Sequence, residues 1–240
     1  MTAQSSKDKL IVALDIETFA EARELINILS PSVEIFKIGS QLFTSCGPVV
    51  VRYLLAMGKK VFLDLKFHDI PNTVANAISS AIGLYPGQSI CMLTVHTQGE
   101  VQMLKAAVAA ASQKSKELNV NKPFIVGVTV LTSEEKTDNI SRLVLERAHL
   151  AKQCGLDGVV ASPQEAAFIR KELGKDFMIV TPGIRPKDAE ANDQKRTATA
   201  FESIQNGSDF LVVGRPIIKA ANPLEAAQKI LEEIEQAQPK

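Results

Sequence analysis

Short apolar runs alternate with amphipathic, helix-like stretches along the whole 240-residue chain. Apolar runs rich in β-branched residues are typical of strands that are buried on both faces. Regular alternation of such strands with helices predicts a parallel sheet. The predicted strands are Leu10–Asp15, Glu34–Gly39, Lys60–Lys66, Ile90–His96, Phe124–Val130, Gly158–Ser162, Met178–Thr181 and Phe210–Gly214.

Helical patterns fill the intervals between these runs and predict an α/β protein. Eight strand–helix units in a chain of this length match a (β/α)8 TIM barrel. A doubly wound open sheet is the alternative, but no G-x-G-x-x-G follows the first strand. Neither a linker nor a change in composition divides the chain, so we expect a single domain over residues 1–240. The predicted helices are Thr18–Leu29, Pro48–Met57, Thr73–Ile82, Val101–Leu118, Ser141–Cys154, Pro163–Leu173, Thr199–Asn206 and Pro223–Gln236.

The composition argues against several classes of partner. Lys and Arg together number 27, as do Asp and Glu, so net charge indicates neither a nucleic acid nor a membrane partner. The first residues are polar, and no apolar stretch reaches the ~18 residues of a membrane span. Cys46, Cys91 and Cys154 are odd in number and widely spaced, which argues against a disulfide framework or a zinc site. We therefore expect a cytoplasmic protein.

A barrel enzyme carries its active site at the carboxyl ends of the strands. The polar residues of this chain collect at those ends, whereas the opposite ends show no comparable group. The residues at or just beyond the carboxyl ends are Asp15, Lys37, Asp64, Lys66, His96, Arg185 and Arg215.

One cluster of charges lies at the end of the third predicted strand. Asp64 and Lys66 are two residues apart and should share a face, and a loop could turn Asp69 back towards them. Lys37 lies in an apolar run of the adjacent strand. A buried lysine needs an ion-pair partner, and Asp64 is the natural candidate. The predicted order is Lys37, Asp64, Lys66, Asp69, with alternating sign. Burying these charges is costly unless they are paired, and chemistry is one reason to accept that cost.

The last two strands lead into loops with the character of a phosphate site. Pro182 and Arg185 follow the seventh strand, and Gly214 and Arg215 follow the eighth. In barrels these two loops often bind phosphate, for which glycine permits close approach and arginine supplies a bidentate cation. The long polar segment around Gln194 is predicted to act as a lid.

Histidine and metal chemistry are weakly supported. His68 and His96 cannot be ordered into a catalytic triad, so we interpret them as structural. Asp64 and Asp69 could hold a divalent ion. However, Lys37 and Lys66 would occupy the same space and repel it. No cofactor motif is evident, so we expect neither a metal nor an organic cofactor.

Motifs spread over nearly the whole chain resemble one family, the orotidine 5′-phosphate decarboxylases, in their stand-alone bacterial form. The eleven-residue run LDLKFHDIPNT is the most specific of them. The motifs are Ala13–Asp15, Phe36–Gly39, Leu63–Thr73, Val128–Ser133, Gly155–Val160, Thr181–Pro186 and Val213–Pro216.

The resemblance implies cofactor-independent decarboxylation of orotidine 5′-phosphate to UMP, the last step of de novo UMP synthesis. It implies that Lys66 protonates carbon 6 of the pyrimidine, that Asp64 lies against the departing carboxylate, and that Lys37 holds Asp64 and a ribose hydroxyl. It also implies a homodimer with shared sites, to which the neighbouring subunit contributes Asp69, Ile70 and Thr73. Further implied substrate-binding residues are Asp15, Thr132, Pro182, Arg185, Gln194, Gly214 and Arg215.

Two segments depart from the family's usual pattern. Thr97–Glu100 stands where the family often has Ala-x-Gly-Gly, and Gly83–Ser89 is longer than usual. Two other functions stay open. A sugar-phosphate decarboxylase or synthase of the same superfamily would use magnesium and carry an acid in place of Lys37. A non-catalytic phosphate-binding barrel would not need the complete charge network.

Overall fold

A computed structural model describes residues 5–130, 140–186 and 197–238. Within these parts, eight parallel strands close into a barrel in chain order, with the last strand paired to the first. The predicted (β/α)8 TIM barrel is therefore confirmed. The strands are β1 (Leu10–Ala13), β2 (Ile35–Gly39), β3 (Lys60–Phe67), β4 (Met92–His96), β5 (Phe124–Val128), β6 (Gly158–Val160), β7 (Met178–Pro182) and β8 (Phe210–Val213).

The helices surround the barrel. Among those formed by the described residues, none is long and apolar enough to cross a membrane. The α-helices are α1 (Phe19–Leu29), α2 (Ser40–Cys46), α3 (Val49–Ala56), α4 (Pro71–Ile82), α5 (Glu100–Leu118), α6 (Ile140–Gln153), α7 (Pro163–Leu173), α8 (Ala200–Gln205), α9 (Arg215–Ile218) and α10 (Pro223–Ala237).

Some boundaries differ from the prediction. Helix α2 is absent from the prediction. Its seven residues bury only Leu42, so they lack the repeated apolar stripe by which a helix is predicted. Helix α4 begins at Pro71 rather than Thr73, because proline suits the first helical turn. Strands β5 and β6 end at Val128 and Val160, earlier than predicted, because continuous apolar sequence does not mark where pairing stops.

Two apolar layers fill the molecule, one between the strands and the helices and one inside the barrel. Ile35 of β2 and Phe62 of β3 belong to the inner layer. Since side chains alternate along a strand, the residue two positions beyond each of them also faces the barrel axis. That spacing places Lys37 and Asp64 at the mouth of the barrel.

Candidate active site

A cavity of about 190 Å³ opens at the carboxyl ends of the strands. Part of its wall is charged and part is apolar. The apolar part comes mainly from β1, β3, β5, β6 and β8 and from the residues that follow β5 and β6. A ligand in this cavity would therefore contact both charged groups and apolar side chains. The predicted site residues that line it are Asp15, Lys37, Asp64, Lys66, Pro182, Arg185, Gly214 and Arg215.

Lys37 lies between two carboxylates. Its Nζ is 3.2 Å from Oδ1 of Asp15 and 3.4 Å from Oδ2 of Asp64. The residue is only 9% exposed. Burial by itself would lower the pKa of Lys37, but the charges of Asp64 and Asp15 raise that pKa above its ordinary value. Lys37 therefore stays a cation within a largely buried pocket.

Asp64 is equally buried and has partners on both of its oxygens. Oδ2 accepts from Nζ of Lys66 at 2.8 Å and faces Lys37, while Oδ1 accepts from the Thr94 hydroxyl at 3.0 Å. Burial would raise the pKa of Asp64, but Lys37 and Lys66 hold that pKa below its ordinary value. The carboxylate therefore stays ionised beside the cavity.

Lys66 reaches Asp64 through an irregular backbone. The pairing register between β3 and β4 shifts between Leu63 and Phe67, and Lys66 has a positive φ of 52°. Asp64 and Lys66 contact each other and both line the cavity, as predicted, although the strand between them is irregular because a bulge shifts its pairing. About a third of the Lys66 side chain is exposed, so its ammonium can contact both Asp64 and a ligand.

Sequence reasoning missed Thr94, which is fully buried on β4. Its hydroxyl donates to Asp64 and accepts a hydrogen bond of 2.8 Å from the backbone N–H of Lys66. The available signal was its position two residues beyond Met92, an inner-layer residue, because that spacing turns Thr94 towards the barrel axis.

Asp69, Ile70 and Thr73 lie outside the cavity. Asp69 is exposed, and its Oδ1 accepts from the backbone N–H of Ile70 at 2.7 Å. Within the described ranges of the chain, Asp69 forms no ion pair. The expectation that a loop turns Asp69 back onto Lys66 in the same chain is therefore wrong. Ile70 is 66% exposed, and Thr73 is exposed on the first turn of α4.

The predicted phosphate residues meet on the side of the cavity formed by β7 and β8. Arg185 is buried, and its guanidinium donates to the carbonyl of Ile184 at 2.9 Å. A Cβ on Gly214 would lie 3.3 Å from Oδ2 of Asp15, so glycine there lets the backbone approach the pocket closely. Arg215 follows at the start of α9. Two further predicted residues, Thr132 and Gln194, lie outside the described residues.

The histidines at the mouth of the barrel pack against each other. The rings of His68 and His96 are stacked with centroids 5.6 Å apart, and Nδ1 of His96 accepts from the backbone N–H of Gln98 at 3.3 Å. Over the part of the chain that the structure describes, no group of three or more His, Cys, Asp or Glu side chains could hold a metal ion.

Fold and pocket together define a (β/α)8-barrel protein with an alternating Lys–Asp cluster and two arginines at the carboxyl ends of its strands. Residues 8–230 match the model of the orotidine 5′-phosphate decarboxylase / HUMPS family. The chain belongs to this family.

Curated relatives and solved structures agree with this assignment. The orotidine 5′-phosphate decarboxylase of Geobacter sp. (strain M21) is 45% identical over 98% of this chain and 99% of its own length. The orotidine 5′-phosphate decarboxylase of Syntrophotalea carbinolica is 47% identical over 95% of this chain and 96% of its own length. The crystal structure of orotidine 5′-phosphate decarboxylase from Lactobacillus acidophilus superposes with a TM-score of 0.81 at 35% identity, covering 94% of this chain and 98% of that one.

Proposed function

We propose that this protein decarboxylates orotidine 5′-phosphate to UMP, the last step of de novo UMP synthesis. The observation that carries the proposal is the alternation Asp15, Lys37, Asp64, Lys66 around one cavity, with contacts of 2.8–3.4 Å between successive charges. Full-length similarity to proteins named orotidine 5′-phosphate decarboxylase supports the choice of substrate.

The reaction needs a preorganised field and a proton donor. Loss of carbon dioxide from carbon 6 of the pyrimidine leaves an electron pair on that carbon with little resonance relief. The Lys66 ammonium stabilises this developing charge and then gives its proton to carbon 6, so that a new C–H bond replaces the broken C–C bond. Asp64 holds Lys66 in place and lies against the departing carboxylate. Lys37 orients Asp64 and binds a ribose hydroxyl together with Asp15.

The remaining residues bind the rest of the substrate. Arg185, Gly214 and Arg215 bind the phosphate, and Pro182 contacts the ligand from the end of β7, in keeping with their common position on one side of the cavity. The phosphate is remote from carbon 6, and its binding energy contributes to lowering the activation free energy of decarboxylation. We assign Thr132 to the pyrimidine edge and Gln194 to a lid over the phosphate.

The proposal includes a homodimer with shared active sites, in which Asp69, Ile70 and Thr73 enter the neighbouring subunit's pocket. It is supported by their exposure and by the large apolar side chain of Ile70, which burial against a partner would stabilise. Asp69 would then complete the charge alternation beside the partner's lysine. We further propose that residues 1–240 form one domain, and that the protein acts in the cytoplasm without a metal or organic cofactor.

The main competing function is a magnesium-dependent sugar-phosphate reaction. The Lys37 ammonium lies 3.4 Å from the Asp64 carboxylate, in the position where a divalent ion would bind, and two lysines beside one buried carboxylate disfavour such an ion. A phosphate-binding protein without catalytic activity is the other alternative.

One assay separates these functions. Purified protein is mixed with orotidine 5′-phosphate, and the loss of its ultraviolet absorbance is followed with and without EDTA. We expect turnover that EDTA does not change. Turnover abolished by EDTA and restored by Mg²⁺ would favour metal-dependent chemistry, and binding of the nucleotide without turnover would favour the non-catalytic alternative.

A further inference from the structure

Thr94 makes two hydrogen bonds at the centre of the charge cluster, although it carries no charge itself. The residue is 0% exposed on β4. Its Oγ1 lies 3.0 Å from Oδ1 of Asp64 and 2.8 Å from the backbone nitrogen of Lys66. One hydroxyl thus contacts both the carboxylate and the main chain of the lysine.

The backbone conformation around Lys66 explains why the hydrogen bond from its N–H to Thr94 matters. The β3–β4 register shifts between Leu63 and Phe67, and the N–H of Lys66 donates to the Thr94 hydroxyl at this irregularity. The positive φ of Lys66 is disfavoured for a residue with a Cβ, and it persists only where the surroundings hold it. The Thr94 oxygen is one of the groups that hold it.

The direction of each hydrogen bond determines how Asp64 is oriented. A hydroxyl has one proton, and because the amide of Lys66 already donates to Oγ1, that proton is free for Oδ1 of Asp64. The other carboxylate oxygen, Oδ2, is then left facing Lys37 and Lys66. Rotation of the carboxylate would break the bond to Thr94 as well as both ion pairs.

We propose that Thr94 is a positioning residue for decarboxylation: it holds the rotation of the Asp64 carboxylate and the bulged backbone that aims Lys66 at carbon 6. The inference rests on the proposed function. Thr94 acts through Asp64 and Lys66, so its loss should slow the chemical step while leaving nucleotide binding largely intact. Misplacing a reacting group by about 1 Å can cost on the order of 100-fold in rate.

The test compares Thr94→Val, which keeps the shape and removes the hydroxyl, with Thr94→Ser, which keeps the hydroxyl. We expect kcat of Thr94→Val to fall by roughly 10- to 100-fold, with KM and UMP affinity changed by less than about threefold. Thr94→Ser should recover most of the lost kcat. If Thr94→Val does not fold, Thr94→Ala, which adds no bulk, is used in its place.

Thr181→Val is the matched control. Thr181 is also a fully buried strand threonine with a hydrogen-bonded hydroxyl, which contacts Ser208 at 2.7 Å, but it does not line the cavity. We expect it to lose stability with kcat unchanged. An equal loss of kcat in Thr181→Val, or no recovery in Thr94→Ser, would show a general structural effect and overturn the proposal.

The activity of the wild-type protein distinguishes failure of the proposed function from failure of the positioning role of Thr94. A wild-type protein that does not decarboxylate orotidine 5′-phosphate overturns the proposed function. An active wild-type protein with Thr94→Val within about threefold of its kcat overturns the positioning role alone.

Discussion

The ammonium of Lys37 lies so close to Gly39 that a side chain on residue 39 would crowd it. Both residues are on β2 and two positions apart, so they share the inner face of the barrel. A Cβ built on Gly39 would be 3.1 Å from Nζ of Lys37 and 3.6 Å from Oδ1 of Asp15. Glycine at this position therefore makes room for the buried ion pair.

Gly39→Ala should displace Lys37 and reduce activity. The φ of Gly39 is −92°, which alanine adopts readily, so the effect is steric rather than conformational. Since Nζ of Lys37 must retreat by only a few tenths of an ångström, we expect kcat/KM for orotidine 5′-phosphate to fall by about 3- to 10-fold, with a loss of stability of about 1 kcal/mol or less. Gly83→Ala is the control, since its Cβ would meet only ordinary contacts at 3.7 Å or more. Equal kcat/KM for Gly39→Ala and wild type would refute the steric role.

Lys66→Ala should abolish turnover without abolishing binding. A positioned proton donor contributes about 10²–10⁴-fold to a rate, so we expect a loss of at least that order in single-turnover measurements. Calorimetry should still detect UMP binding, because the variant keeps the residues that we assign to the phosphate and the ribose. Lys229→Ala, at an exposed ion pair on α10, should behave as wild type. Turnover of Lys66→Ala within about tenfold of wild type would remove Lys66 from the proton-transfer step.

A shared active site predicts complementation between inactive variants. Lys66→Ala and Asp69→Ala should each be inactive as homodimers, but a mixed dimer combines one intact Lys66 with the intact Asp69 of the other chain. Random pairing of co-expressed chains should restore about a quarter of wild-type activity, because half of the dimers are mixed and each has one intact site.

The control for complementation pairs Lys66→Ala with Asp64→Asn. These two residues contact each other within one chain, so every site of a mixed dimer is defective and activity should stay at background. Equal recovery in both mixtures, or no recovery in either, would be inconsistent with Asp69 acting across the interface.

Arg215→Ala should weaken ligands that carry phosphate more than those that do not. A hydrogen bond to a charged group contributes about 1.5–3 kcal/mol, so UMP affinity should fall by roughly 10- to 150-fold. Uridine affinity should change by less than about threefold, since uridine lacks the phosphate that we assign to Arg215. Calorimetry with both ligands measures the difference, with Arg142→Ala at an exposed surface pair as the control. A similar loss for UMP and uridine would argue against the phosphate assignment.

Much of the fold could be predicted because it depends on local patterns. The alternation of apolar runs with helices predicts the barrel, and the two-residue period places Lys37 beyond Ile35 on the inner face. The contacts of Thr94 could not be predicted, because they depend on the register between β3 and β4, which shifts at the bulge. The orientation of Asp69 was missed for a related reason, since a loop residue's direction depends on backbone angles that residue type alone leaves open.

Glu100, the first residue of α5, has φ of 59° and ψ of −177°, a region that is almost exclusive to glycine. The side chain is exposed, so little packing offsets the strain of about 1–3 kcal/mol. Glu100→Gly should therefore raise the free energy of unfolding, although it loses a favourable helix-dipole interaction of about 0.3–1 kcal/mol. Glycine also adds about 0.5–1 kcal/mol of backbone entropy to the unfolded chain, so we expect a net gain of about 0.5 kcal/mol in denaturant unfolding. Glu100→Ala removes the charge and keeps the strain, so it should show no gain, and equal unfolding midpoints for the glycine and alanine variants would contradict the role of backbone strain.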